Sequence, residues 1–327
     1  MAKIATKSVK AAEKKAKDKY QLTNWSDYNQ SLVKRGSLTL WIDEPIIEQW
    51  IYEGSHQRGG KLIYSDKCIE CLLQLKVVFD LPYRQLQGLS ESLLQLMQID
   101  LEVPSYTQIC RRSKNIEIDI EAPKSKGPLF LVVDSTGLKV YGEGEWKVRK
   151  HGYNKRRTWR KLHLGVDEST GIIYAQILTG NGKGDGDAQQ VDELLDQVES
   201  PIDRFSGDGA YDTFDTWETL VGRGIQGIIP PQENAIYWVD EKDNLMDHPR
   251  NHILEQIELK GRKKWKEESN YHRRSLSETA MYRFKKTYGA ELYSRKMESQ
   301  KTEAAVKIKC LNKMTGTGMP ISKKVAA

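Results

Sequence analysis

Residues 129–134 read LFLVVD. An unbroken apolar, β-favouring run that ends on an acid predicts a central strand covered on both faces. Downstream, Lys161–Val166 (KLHLGV) and Ile172–Leu178 (IIYAQIL) flank the turn Asp167–Gly171, which predicts a hairpin with glycine at its turn. Asp187–Val198 has helical spacing, with Val191, Leu194, Leu195 and Val198 facing inward. Ile202–Ser206 reads as a short strand running into Gly207-Asp208-Gly209. Thr213–Val221 reads as a helix, and Ile225–Ile229 as a strand stopped by Pro230-Pro231. Three strands followed by helix, strand, helix and strand predict an α/β fold. Its mixed sheet is flanked by helices, with parallel pairs across the crossovers and an antiparallel hairpin on one side.

Upstream the chain is helical. DKCIECLLQLKVVF (66–79) is broken at Leu81-Pro82. Tyr83–Met97 follows, with Leu86, Leu89, Leu93, Leu94 and Met97 as its core face. Ser105 is placed to cap a helix carrying Tyr106, Gln108, Arg111 and Arg112. Helix, break and helix fit a helix-turn-helix entering a major groove through Arg111 and Arg112, and fit a plain helical bundle equally well. Trp25–Trp50 reads as short helices joined at Arg35-Gly36, and EAPKSKG (121–127) as a linker. The expected organisation is a basic flexible tail over 1–24 and an all-α DNA-binding domain over 25–121. An α/β domain follows over 127–312, with a polar insertion around 231–265, then a loose tail over 313–327.

The 327 residues carry 51 Lys+Arg against 45 Asp+Glu, a net charge of +6. That excess is mild, but its placement is not: Lys147–Lys161 holds eight Lys/Arg and no acid. A basic stripe of that kind is the footprint of a phosphate-binding surface. Lys147, Arg149, Lys150, Lys155, Arg156, Arg157 and Arg160, interleaved with Tyr153 and Trp159, are candidates to track a DNA backbone. Cys68 and Cys71 form a C-x-x-C without the second pair of a zinc site, so they read as buried thiols in a reducing compartment. No apolar run reaches the roughly 18 residues of a membrane span, and no secretory signal opens the chain. The expectation is a soluble cytoplasmic protein, bacterial and nucleoid-associated.

The most unusual helix is YHRRSLSETAMYRFK (271–285). Tyr271, Arg274, Glu278 and Lys285 are offset by 0, 3, 7 and 14 residues. At about 100° per residue they fall within roughly 60° of one another. A carboxylate between two cations stands where an ordinary amphipathic helix would show apolar residues. Asp134 and Asp208 follow two separate strands, at the side of an open α/β sheet where ligands bind. If Glu278 joins them, three hard oxygen donors suit two Mg²⁺ ions, with Mn²⁺ as a substitute. Two such ions activate the attacking oxygen and stabilise the leaving oxygen of a phosphodiester displacement.

Each residue has a plainer reading. Asp134 fits a strand-end turn, Asp208 a helix cap, and Glu278 a surface salt bridge. Asp167, Asp185, Asp187 and Asp212 compete; Asp167 sits at the hairpin turn, and Asp185 and Asp187 where a helix cap belongs. Gly180–Asp187 lacks P-loop order, and the histidines lack zinc spacing.

These residues resemble the insertion-sequence DDE transposases. Tyr271, Arg274, Glu278 and Lys285 fit the pattern Y-x2-R-x3-E-x6-K. LVVDSTGLK around Asp134 and SGDGAYD around Asp208 are similar to the two Asp blocks of that group. YNQSLVKRGSL and LPYRQLQGLSESLLQL resemble its insertion sequence five branch, and the similarity runs from about residue 24 to about residue 322. The resemblance implies a ribonuclease H-like core and an N-terminal domain that binds terminal inverted repeats. It implies that Asp134, Asp208 and Glu278 hold two Mg²⁺. Water would attack at the element's end, and the freed 3′-hydroxyl would attack target DNA. It also implies a homodimer or larger synaptic complex on double-stranded DNA. Arg274 and Lys285 would bind phosphates, and Tyr271 would stack or donate a hydrogen bond beside them. A nuclease that cuts without joining, and a catalytically silent DNA-binding regulator, are the alternatives.

Overall fold

The computed structural model describes residues 19–54, 62–140, 158–180, 182 and 184–325. In chain order the elements begin with β1 (Lys19–Leu22), α1 (Trp25–Arg35), α2 (Glu44–Glu48), α3 (Asp66–Val78), α4 (Tyr83–Leu96) and α5 (Tyr106–Arg112). The sheet follows with β2 (Leu129–Val140), β3 (Trp159–Asp167), β4 (Ile173–Thr179), α6 (Val191–Asp196), β5 (Ile202–Ser206), α7 (Phe214–Gly222) and β6 (Gln226–Ile228). The chain closes with α8 (Pro249–Lys260), α9 (Arg262–Glu268), α10 (Ser275–Tyr288), β7 (Glu291–Leu292), α11 (Met297–Gly316) and β8 (Ser322–Val325).

The main sheet has the order β4-β3-β2-β5-β6. β2, β3 and β4 are antiparallel neighbours, while β5 and β6 run parallel to β2. This is the ribonuclease H-like arrangement: a hairpin meander on one side and two crossover strands on the other. β2 is covered on both faces, as its apolar run predicts. Leu129, Leu131 and Val133 pack with α6, α7 and Trp217. Leu138, with Leu162, Leu164 and Val166 of β3, packs with Ala280, Met281 and Phe284 of α10 and with Ala304 and Ile308 of α11.

A third core lies among the helices. Trp41, Trp50, Ile69, Leu72, Leu75, Leu86 and Ile109 are buried there with Val306 and Cys310 of α11. Ser65 caps α3 through the Cys68 amide, and Ser105 with Gln108 forms a reciprocal capping box on α5. Cys68, Cys71 and Cys310 are buried free thiols, and burial pushes all three thiol pKa values up.

Three expectations need correction. First, the linker at 121–127 does not divide the packing. Leu38–Gly316 forms one compact unit, because α11 contributes to the helical core and to the sheet's core alike. Lys309 of α11 is 1% exposed and is held by Glu70 of α3 and, at 2.7 Å, by Glu121. Second, the described residues of the two ends are not loose. The second unit comprises the residues through Ser37 and those from Thr317 onward, and in it β1 and β8 pair antiparallel from Leu22↔Ser322 to Lys19↔Val325. Third, Met97 is 46% exposed rather than core, since α4 stops at Leu96 and Met97 is its C-cap. Of the two readings left open for α4 and α5, the spacer 97–105 favours the plain bundle, being longer than the tight joint of a helix-turn-helix.

Candidate active site

Asp134 is not at the end of its strand, because β2 continues to Val140. What ends there is pairing on one side. β5 follows β2 only as far as Val132↔Ser206, whereas β3 stays paired with β2 through Lys139↔Trp159. Asp134 and Asp208 therefore each stand two residues beyond the last rung between two parallel strands. The sheet opens there, and both carboxylates flank the opening. Asp208 also behaves as a cap, its Oδ1 accepting from the Ala210 amide at 2.8 Å.

Glu278 arrives from α10, which the buried side chains of Ser277, Ala280, Met281 and Phe284 press onto the sheet. The helix does not start at Tyr271. Asn270 takes a left-handed φ of 57°, Tyr271–Arg274 is a 3-10 turn, and the α-helix begins at Ser275. Residues three apart eclipse in a 3-10 turn. The stripe therefore survives the change of helix, with Arg274 Cζ 5.9 Å from the Tyr271 ring centroid. Tyr271 also packs against Trp265 and lies 5.0 Å from Lys266 Nζ.

Arg274 ties the carboxylates together. Its Nη1 donates to Asp134 Oδ2 at 2.9 Å and its Nη2 to Glu278 Oε1 at 2.8 Å. Asp134 Oδ1 accepts from the Ser135 amide at 2.8 Å. The Ser277 hydroxyl donates to Arg274 O at 2.8 Å, with its oxygen 3.4 Å from Asp134 Oδ2. Burial still raises the Asp134 pKa, outweighing the Ser135 amide and the Arg274 guanidinium. Among the described residues no three His, Cys, Asp or Glu side chains are grouped closely enough to hold a metal. The donor chemistry suits Mg²⁺, but Arg274 lies between two of the three proposed ligands. Arg274 takes one oxygen of each, Asp134 Oδ2 and Glu278 Oε1, and the other Asp134 oxygen accepts from the Ser135 amide.

The remaining candidates separate. Lys285 lies on α10 with no ion-pair partner among the described residues. Arg111 is exposed. Arg112 instead donates to Tyr64 O at 2.9 Å and pairs with Asp66, which makes it a tie within the helical core. Arg160 is half-buried and donates to Gln300 Oε1 at 2.7 Å. Lys147, Arg149, Lys150, Lys155, Arg156 and Arg157 lie outside the described residues.

The competing carboxylate Asp187 is not the helix cap its position suggests. Asp187 makes no cap bond; it accepts from Lys161 Nζ at 2.7 Å and lies 3.2 Å from Nδ1 of fully buried His163. His163 Nε2 is 3.0 Å from Thr179 Oγ1, so the histidine is structural, as its alternation in β3 suggests. Spacing could not reveal this group, because its members meet only through β3–β4 pairing. Burial alone would raise the Asp187 pKa, but the facing His163, Lys161 and Ser135 side chains hold it well below the usual carboxylate range. A depressed carboxylate stabilises the fold fully above its ordinary value of 3.8, and that contribution is lost as pH falls below it. Asp187→Asn should lower the melting temperature at neutral pH, with the gap to wild type closing in acid. Thermal melts between about pH 7 and about pH 2.5 measure this; a gap constant with pH would mean that the charge is not what stabilises.

Asp167 and Asp185 are structural. Asp167 Oδ2 accepts from the Thr170 amide and hydroxyl at 2.9 and 2.7 Å, and Asp185 Oδ2 accepts from the Gly182 amide at 2.7 Å.

Comparison with known proteins adds an independent line. Residues 33–143 match one family described as "Transposase DDE domain", and residues 125–313 match a second family of the same description. The fold also aligns with the piggyBac transposase in a synaptic complex with hairpin DNA, over 86% of this chain and 73% of that one. At 11% identity and a TM-score of 0.41 that likeness is too distant to carry an argument. The second family match alone spans more than half of the chain, and by it this chain belongs to the DDE transposases.

Proposed function

We propose that this transposase binds the terminal inverted repeats of an insertion sequence, cleaves the ends, and joins them to target DNA as a dimer or larger synaptic complex. Asp134, Asp208 and Glu278 are the catalytic carboxylates in this reading, and they hold two Mg²⁺ or Mn²⁺ ions. When bound, the ions supply activation of the attacking oxygen and stabilisation of the leaving one. The observation that carries the reading is the opening of the sheet after Val132↔Ser206, with Asp134 and Asp208 flanking it and Arg274 linking Asp134 to Glu278. Arg274 and Lys285 would then contact DNA phosphates, with Tyr271 beside them and the basic Lys147–Arg160 segment along the backbone. Assignment to the insertion sequence five branch belongs to the same proposal.

The test is incubation with the DNA flanking the gene and Mg²⁺, mapping cleaved and joined ends on both strands. Nicks at the borders of an inverted repeat together with joined products support the reading. Cutting without joining would favour a nuclease, and end binding without cutting a regulator. Lys285→Ala should weaken end binding and flatten its salt dependence by up to about one unit of log K against log salt. Titrations at several salt concentrations measure the slope; an unchanged slope would remove Lys285 from the phosphate contacts.

A further inference from the structure

The unit formed by the two chain ends holds more positive charge than the rest of the protein put together. Residues 1–37 and 317–327 carry 11 Lys+Arg against 3 Asp+Glu, a net +8. The whole chain is +6, so residues 38–316, which include all three candidate catalytic carboxylates, are net −2. The excess does not depend on the first 18 residues: within 19–37 and 317–325 the count is five against one. Charge therefore draws a polyanion to this unit and repels a second copy of it.

Side chains fix the two ends to each other. Asn24 Nδ2 donates to Met319 O at 2.9 Å, while Asn24 Oδ1 accepts from the Ile321 amide at 2.8 Å. Arg35 Nη2 donates to Gly318 O at 2.8 Å. Gly318 has a φ of 132°, and a Cβ there would sit 3.1 Å from Ser31 Cβ, so the chain turns where glycine is required. The β1–β8 ribbon is thus held in shape before it meets any partner.

That ribbon is left bare. Among the described residues it has two strands only, and Tyr20, Gln21 and Ser322–Val325 are all exposed. Opposed residues of an antiparallel pair share a face. Gln21↔Lys323 therefore sets an amide beside an ammonium on one face, with Tyr20↔Lys324 on the other. Lysine on an edge strand discourages pairing with a further strand. Two strands about 5 Å apart fit a major groove about 12 Å wide, which admits a two-stranded ribbon. Glutamine can donate to and accept from adenine there, and lysine can donate to guanine.

Building on the proposed binding of terminal inverted repeats, we propose that the β1–β8 ribbon is the element that reads the repeat. It lies in the major groove of the DNA with Gln21 and Lys323 against base edges.

The test measures full-length Gln21→Ala/Lys323→Ala against a terminal-repeat duplex and a scrambled duplex of equal length. Both side chains are exposed, so the fold should survive their loss. Affinity for the repeat should fall about 10- to 100-fold, and affinity for the scrambled duplex less than about 5-fold. Methylation of guanine N7, a major-groove atom, should weaken wild-type binding at one or more positions of the repeat, and the variant should be indifferent to at least one of them. A variant that keeps the wild-type preference for the repeat would overturn the proposal, as would an unchanged methylation pattern. Retained preference with an altered oligomeric state in light scattering would make the ribbon an interface between copies instead. If the wild type itself does not prefer the repeat, the proposed end binding fails. If wild type and variant prefer it equally, only the role of the ribbon fails.

Discussion

Asp134→Asn should reduce end cleavage in Mg²⁺ by more than about 1,000-fold, the several kcal/mol expected for a carboxylate that holds a catalytic metal. It should do so without loss of fold. Asp134 sits in a site where burial raises its pKa despite the Arg274 guanidinium. For a carboxylate shifted upward, the folded state takes up its proton before the unfolded state does as pH falls. Stability attached to this group therefore rises toward acid, and at neutral pH the charge is a net cost. Asparagine removes that cost and keeps an oxygen for Arg274, which retains Glu278 at 2.8 Å. The melting temperature should hold or rise slightly. A labelled-end cleavage assay beside a thermal melt measures both, and surviving cleavage would end the assignment of Asp134.

Arg250→Ala should have the largest effect on stability, about 3–5 kcal/mol, because it strands a buried carboxylate. Arg250 and Asp212 have side chains 6% and 2% exposed. Arg250 Nε and Nη2 donate to the two Asp212 oxygens at 2.9 and 3.2 Å, and Nη1 donates to Ile236 O at 2.8 Å. Its guanidinium lies 4.4 Å from the Trp238 ring centroid. Asp212 Oδ1 also accepts from Trp217 Nε1 at 2.9 Å. At roughly 2–4 °C per kcal/mol, the melting temperature should fall by about 10 °C. Cleavage should fall with it, because Asp212 closes the turn that begins at Asp208. Arg250→Met combined with Asp212→Asn should cost less than Arg250→Ala alone, since no unpaired charge then remains. A double variant as unstable as the single one would mean that packing, not the charge pair, carries the effect.

The parts of this molecule that were legible in its sequence are those set by local rules. The apolar run before Asp134, the hairpin around Asp167–Gly171 and the caps at Ser65 and Ser105 declare themselves within a few residues. The stripe from Tyr271 to Glu278 was legible although its first turn is 3-10, because both helix types bring residues three apart onto one side. What escaped depends on distant partners. SKKV (322–325) shows no apolar alternation and is a strand only because Lys19–Leu22 lies beside it. Asp187 resembles a helix cap until β3 brings Lys161 and His163 to it. Arg112 reads as a groove contact until Tyr64 and Asp66 close on it. Arg274 was assigned to phosphates; its hold on Asp134 and Glu278 needed the fold to bring β2 beside α10.

The helix Met297–Gly316 has a consequence for how the protein is made. Val306 and Cys310 complete a core whose other members lie between Trp41 and Ile116. The ribosome delivers those earlier residues first, and they must wait, with an apolar face uncovered, until nearly the whole chain has been synthesised. A message cut short before residue 297 would yield helices with no lid and a sheet that keeps α10 but lacks Ala304, Ile308 and Leu311 beside it. Such a product is material for proteolysis rather than a smaller DNA-binding protein.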